Sequence, residues 1–125
     1  MWTWWFAAGS ILSAVGIGAG AFGAHALKGK LSPEDLVIFD TASRYLSMQS
    51  IGLLAIALLM SRIDSTSLKI SAFAMIFGIL IFSGSLFALI GTGQRWLGAI
   101  TPIGGSLMIV AWLMAAWAAI SANWA

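Results

Sequence analysis

Four long apolar segments divide the chain, and every charged residue lies between them or at their edges. A helix needs about 20 mostly apolar residues to cross the hydrocarbon core of a membrane. The segments cover about residues 4–24, 45–60, 70–90 and 102–120. This pattern predicts an all-α fold, a four-transmembrane-helix bundle. We expect residues 1–125 to form a single integral membrane domain whose immediate partner is the lipid bilayer.

The composition agrees with a chain that has lipid as its solvent. Charged residues make up 8% and hydrophobic residues 61%, whereas a soluble domain carries about 25% charged residues. The net charge of +2 comes from six cations and four anions without a basic stripe, so we expect no nucleic acid partner. The absence of cysteine excludes disulfides and thiolate metal sites. With a single histidine, His25, we expect neither a metal nor another cofactor.

Two proline-containing sequences predict where helices begin. Ser32 suits an N-cap, Pro33 suits the first helical position, and two acids follow in the first turn. A short interfacial helix therefore leads from Pro33 into the second span. Asp40 and Arg44 lie four residues apart on it, in the favourable acid-first order. Thr101-Pro102 repeats the cap-plus-proline pattern, which predicts the start of the fourth helix.

The first segment carries two motifs that its context argues against. Ala24-His25-Ala26 fits the small-x-small rule for signal cleavage, but the N-terminus has no Lys or Arg. We therefore expect the segment to be retained. Residues 18–23 match G-x-G-x-x-G, the dinucleotide-binding pattern. That site requires a strand before it and a helix N-terminus after it, so inside an apolar span we interpret the match as chance.

The distribution of Lys and Arg predicts the orientation. Lys28, Lys30, Arg44 and Arg95 belong to the first and third loops, whereas the second loop holds Arg62 and Lys69. The positive-inside rule then places the first and third loops in the cytoplasm and both termini outside. The expected location is a bacterial inner membrane. The termini carry Trp2, Trp4, Trp5 and Trp124, an aromatic group typical of a membrane interface.

Small residues recur at four-residue spacing on the first and fourth segments, which favours close helix packing. They are Gly16, Gly20 and Ala24 on the first, and Ala111, Ala115 and Ala119 on the fourth. Packing within the bundle is the first interpretation of this spacing. A homo-oligomer interface is the alternative.

Polar and glycine positions of all four segments fall toward the end that carries the first and third loops. The candidate polar cluster consists of His25, Asp40, Arg44, Gln49, Ser83, Ser85, Gly104 and Gly105. The other half of the bundle reads as mostly Ile, Leu, Ala, Met and Phe. Polar groups inside a membrane face the bundle interior or a wet cavity. The cluster is therefore either a set of helix-packing hydrogen bonds or a small-molecule site in one leaflet.

Several of these segments resemble one known family. They are Gly20-Ala21-Phe22-Gly23-Ala24-His25-Ala26-Leu27, Leu31-Ser32-Pro33-Glu34, Arg44-Tyr45, Phe82-Ser83-Gly84-Ser85-Leu86 and Thr101-Pro102-Ile103-Gly104-Gly105. In order and spacing they resemble the YgdD family, small inner-membrane proteins of unknown function with mitochondrial relatives. The resemblance implies a multi-pass helical protein and no established activity. The family often has a histidine shortly after Arg44-Tyr45, where this chain has Gln49.

Three classes of function are compatible with these features of the sequence. A structural or accessory subunit of a membrane complex, or a lipid-organising protein, agrees best with the small-residue faces and short loops. A small transporter or channel, which would need an oligomer to form a pathway, is the alternative that the polar cluster suggests. An enzyme is not expected, because acid–base catalysis requires paired groups at working distance and the four spans contain no carboxylate.

Overall fold

The computed structural model of the protein describes residues 1–122, and all regular structure within that range is helical. The four long helices are α1 (Trp2–Leu27), α2 (Pro33–Met60), α3 (Thr66–Thr92) and α4 (Thr101–Ser121), with a 3₁₀ turn at Arg95–Ala99 before α4. All four are long and apolar enough to cross a membrane. The predicted four-transmembrane-helix fold is confirmed. Trp124 lies outside the described residues.

The start of α2 follows the predicted capping chemistry. The Ser32 hydroxyl accepts a hydrogen bond from the backbone N–H of Asp35 at 3.1 Å, and Pro33 occupies the first turn. The predicted lead-in is not a separate element, because the helix runs without a break for 28 residues to Met60. At 1.5 Å per residue it is about 42 Å long, more than the hydrocarbon core needs. Its first turns therefore extend beyond that core.

The fourth helix begins at Thr101 as predicted, but not by the predicted cap. Ile100 occupies the N-cap position, and no side chain caps the helix. The Thr101 hydroxyl lies 2.5 Å from the Ser85 hydroxyl of α3 instead. Thr101, which was expected to cap α4, thus joins α4 to α3. In the loop between α3 and α4, Gly93 ends α3 in the left-handed conformation (φ 73°), which favours glycine.

Helices that follow one another in the chain pack against one another, α1 on α2, α2 on α3 and α3 on α4. The largest fully buried side chains come from the two middle helices: Leu53, Ile56, Leu68, Met75 and Ile79. The α1 helix is peripheral, since only 11% of its most apolar stretch is buried, against 39% for α2 and for α3. Trp5, which is expected at the membrane interface, packs edge-to-face on Phe73 of α3 at 4.7 Å.

Glycines determine how closely α1 approaches α2. A Cβ on Gly16 would lie 3.0 Å from the backbone of Ser47, and one on Gly9 would lie 3.1 Å from the carbonyl oxygen of Ser50. Gly23 meets the ring of Phe39 in the same way. These glycines are seven residues apart, two helical turns, so they share one face. Of the predicted small-residue face of Gly16, Gly20 and Ala24, only Gly16 belongs to this close contact, since Gly20 is exposed.

The alanine face of α4 also points inward. Ala111 and Ala115 are buried in the core formed with α3. Small residues at this face allow the two backbones to approach closely, which is how helices associate inside lipid. The intramolecular interpretation of the predicted alanine spacing agrees with this burial.

Candidate functional site

The charged members of the candidate polar cluster lie on the surface. Arg44 forms an ion pair with Asp40 at 2.5 Å, one helical turn away, and both side chains are more than 60% exposed. His25 is exposed in the last turn of α1. The described residues contain no group of three His, Asp or Glu side chains able to hold a metal ion. These three residues thus form one surface pair and a separate histidine.

Ser83 and Ser85, by contrast, are buried and join α3 to its two neighbours. The Ser83 hydroxyl donates to the backbone carbonyl of Ala42 on α2 at 2.8 Å. The Ser85 hydroxyl lies 2.5 Å from that of Thr101 on α4. The two serines are two residues apart on a helix, so their side chains point in different directions. One therefore serves the α2–α3 interface and the other the α3–α4 interface.

Gln49 connects α2 to α4. Its side-chain oxygen accepts a hydrogen bond from the indole N–H of Trp112 at 2.8 Å. The same indole ring lies against Gly52, where an added Cβ would collide with it. Gln49 and Gly52 therefore form the surface of α2 on which the Trp112 ring packs. Gln49 and Trp112 are 63 positions apart, and no sequence motif links them.

The two glycines of α4 differ in their surroundings. Gly104 is buried where α4 crosses α3, and an added Cβ would lie 2.5 Å from the backbone nitrogen of Phe82. Gly105 faces the ring of the same Phe82 at an ordinary contact distance of 3.7 Å. Gly104 thus permits a close backbone approach between these helices, and Gly105 does not take part in it.

The structure therefore distributes the candidate polar cluster over several interfaces. Ser83 lies between α2 and α3, Ser85 and Gly104 lie between α3 and α4, and Gln49 lies between α2 and α4. His25 and the Asp40–Arg44 pair are exposed. The Ser83 and Ser85 hydroxyls each have a partner in a neighbouring helix. Chemically, this arrangement holds α2, α3 and α4 together.

An ion pair between two loops was not predicted. Asp35, in the first turn of α2, lies 3.1 Å from Arg95, which begins the 3₁₀ turn before α4. The Asp35 side chain is only 18% exposed, and its Oδ1 atom has no aligned hydrogen-bond partner among residues 1–122. The interaction with Arg95 is therefore mainly charge attraction. The charges at the two loops were visible in the sequence, but their pairing depends on how the helices are arranged.

Further buried serines form hydrogen bonds between helices outside the candidate polar cluster. Ser71 of α3 donates to the backbone carbonyl of Ala111 on α4 at 2.6 Å. Ser13 of α1 donates to Ser50 of α2 at 3.2 Å. Ser50 and Ser71 are fully buried. Polar bonding between helices thus runs the length of the bundle, and is not confined to one leaflet.

Together, the fold and these interfaces define a small multi-pass integral membrane protein with a closely packed four-helix bundle. The chain belongs to the DUF423 family, proteins of unknown function, whose family model matches residues 19–105. This confirms the prediction that the chain belongs to a family of membrane proteins without an assigned activity.

The chain is similar to curated membrane proteins along most of its length. A UPF0382 membrane protein of Staphylococcus epidermidis is 44% identical over 106 residues, which cover 85% of this chain and 86% of the relative. The UPF0382 membrane protein YwdK of Bacillus subtilis is 38% identical over 113 residues, covering 90% and 92%. No solved structure matches the chain.

Proposed function

We propose that the protein is a structural or accessory subunit of a larger membrane assembly, and that the outward face of α1 contacts the partner. The observation that carries this proposal is the packing of α1. It lies mainly against α2, with 11% of its most apolar stretch buried. Helices in lipid associate by close packing and interhelical hydrogen bonds. A helix held on one side leaves its other side available for such contacts.

The alternative, a transporter or channel, has less support from the buried polar groups. A pathway through a membrane needs polar groups that face a wet cavity. Ser71, Ser83 and Ser85 instead bond to neighbouring helices at 2.5–2.8 Å. Three buried hydroxyl contacts of this kind favour helix packing over transport.

The proposed location is a bacterial inner membrane with the first and third loops in the cytoplasm and both termini outside. The positive-inside rule supports this orientation by four Lys and Arg residues against two. The similar proteins of Staphylococcus and Bacillus are named membrane proteins of bacteria. Membership of the DUF423 family does not test the resemblance to the YgdD family. That resemblance stays a prediction, which rests on the five matching segments between Gly20 and Gly105.

Site-specific cross-linking in native membranes tests the proposed role. The chain has no cysteine, so single cysteines can carry a photoreactive maleimide. Ile11→Cys and Phe22→Cys place the probe on the outward face of α1, where these side chains are 65% and 76% exposed. We expect both to give a discrete protein adduct at endogenous expression level, identified by mass spectrometry.

A matched control is available on the opposite side of the bundle. Ile109 of α4 is 63% exposed, so Ile109→Cys places an equally accessible probe away from α1. We expect no discrete protein adduct from it. If adducts are absent from both helices, or if the protein solubilised in mild detergent migrates alone, the accessory role is wrong.

A further inference from the structure

A groove opens toward the lipid between α1 and α3, with α2 as its floor. Its volume is about 190 Å³, and its walls are Leu12 and Val15 of α1, Leu46 of α2, and Leu80, Gly84 and Phe87 of α3. The groove exists because α1 and α3 both pack on α2 but meet each other mainly at the ring contact between Trp5 and Phe73. Farther along, α1 and α3 leave a gap.

Gly84 gives the groove its depth. A Cβ added at this position would meet no atom within 4 Å, although the residue lies in the middle of a packed helix. Phe87 closes one end of the groove by packing on Phe39 at 5.4 Å. The missing side chain at Gly84 thus leaves a slot in the surface of α3.

The chemistry of the slot fits a hydrocarbon chain. Ser83, the one polar residue at the wall, already donates to Ala42. Cavities of about 150 Å³ that are lined by Leu, Ile and Phe stay dry and accept an apolar molecule. At 1.5 Å per residue, Phe87 lies about 8 Å and Leu80 about 18 Å from the end of α3. That is the depth of acyl chains in the leaflet next to the first and third loops.

Two cations lie in the first loop, at the same end of the bundle as the C-terminus of α3. Lys28 and Lys30 follow directly after α1, and both are exposed. Among residues 1–122, neither forms an ion pair. Lysines beside a membrane attract anionic lipid by about 1 kcal/mol each. We propose that the groove binds one acyl chain of an anionic phospholipid whose phosphate lies near Lys28 and Lys30. This goes beyond the proposed function and holds whether or not α1 contacts a protein partner.

Native mass spectrometry of the purified protein with equal amounts of phosphatidylglycerol and phosphatidylethanolamine tests the groove. The wild type is expected to retain one phosphatidylglycerol molecule. Gly84→Leu fills the slot, and we expect retention to fall about tenfold, as for the loss of one buried apolar chain. Gly18→Leu is the matched control, because a Cβ at Gly18 also meets nothing within 4 Å and Gly18 does not line the groove. Equal retention by Gly84→Leu and Gly18→Leu would overturn the proposal.

The headgroup is tested separately with the double variant Lys28→Gln/Lys30→Gln. It should still retain a lipid but lose the preference for phosphatidylglycerol over phosphatidylethanolamine by about tenfold. An unchanged preference would overturn the assignment of the phosphate to these lysines.

A second measurement does not depend on the folding of the Gly84 variant. A bimane fluorophore on Leu80→Cys, in the groove wall, is titrated with phosphatidylglycerol brominated on its chains. The same probe on Leu113→Cys of α4 reports ordinary bilayer lipid, since Leu113 is 65% exposed. Site binding predicts half-maximal quenching of the Leu80 probe at about a tenfold lower lipid fraction. Identical titrations of the two probes would contradict a specific site.

Discussion

Two adjacent glycines at the start of α4, Gly104 and Gly105, differ in whether the bundle has room for a side chain in their place. A Cβ on Gly104 would lie 2.5 Å from the backbone nitrogen of Phe82 and 2.7 Å from the carbonyl oxygen of Gly78. Both atoms belong to helix backbone, which cannot move without displacing α3. A Cβ on Gly105 would meet only the edge of the Phe82 ring, at 3.7 Å.

Gly104→Ala is therefore expected to destabilise the bundle, by about 1–3 kcal/mol, the usual cost of overpacking. Gly105→Ala is expected to be neutral or to stabilise by up to about 1 kcal/mol, because alanine favours the helix. Thermal unfolding in mild detergent, followed by size-exclusion chromatography, compares the two. Equal melting temperatures would mean that α3 and α4 are farther apart than the structure places them.

At the scale of the helices, the Asp35–Arg95 pair joins the start of α2 to the turn before α4. The Asp40–Arg44 pair has the same chemistry within α2 but is exposed on both sides. Exposed pairs one turn apart stabilise a helix by about 0.3–0.5 kcal/mol. Leaving a mostly buried polar group without its partner costs about 1–3 kcal/mol. The Asp35–Arg95 pair should therefore contribute more to the stability of the bundle than the Asp40–Arg44 pair does.

Arg95→Gln is accordingly expected to lower the free energy of unfolding by about 1–3 kcal/mol, and Arg44→Gln by no more than about 0.5 kcal/mol. Chemical unfolding in detergent measures both variants. Adding Asp35→Asn to Arg95→Gln should recover part of the loss, because the double variant has no unpaired charge. No recovery in the double variant would show that Arg95 acts independently of Asp35.

The π-helical segment of α1, Ala19–Gly23, belongs to the same scale. A π-helical turn accommodates an extra residue within an α-helix. It begins three residues after Gly16 and ends at Gly23, and both glycines face α2. The sequence showed a glycine-rich stretch that matched a nucleotide-binding motif by chance. Its role in the fold is to let α1 keep contact with α2 on both sides of an irregular turn.

Across the whole molecule, the sequence predicts the features that depend on local chemistry. The spans follow from where charges are absent, and the start of α2 follows from the Ser32 cap and Pro33, as the 3.1 Å hydrogen bond to Asp35 shows. The buried positions of Ser83 and Ser85 follow from polar residues inside an apolar span. These properties require only near neighbours in the chain.

Partners that come from different helices were beyond reach of the sequence. Ser71 bonds to Ala111 across 40 positions, and Thr101 bonds to Ser85 although its neighbours suggest a cap. A serine inside a span is compatible with a bond to its own helix or to any adjacent one. Helix rotation selects among these, and packing of residues such as Gly104 sets the rotation. For this reason the expected single cluster became several interfaces.

Orientation in the membrane is a property of the whole chain, and it has a direct test. Ser61 lies in the second loop and Gln94 in the third, and both are exposed. Because the chain has no cysteine, Ser61→Cys and Gln94→Cys each carry a single thiol. The excess of Lys and Arg at the first and third loops predicts that those loops lie in the cytoplasm. A membrane-impermeant maleimide added to intact spheroplasts should label Ser61→Cys, and should label Gln94→Cys only after permeabilisation. If Gln94→Cys is labelled in intact spheroplasts and Ser61→Cys only after permeabilisation, the predicted orientation is wrong. The second loop, with two cations against four, would then lie in the cytoplasm, and Lys28 and Lys30 would lie at the outer leaflet.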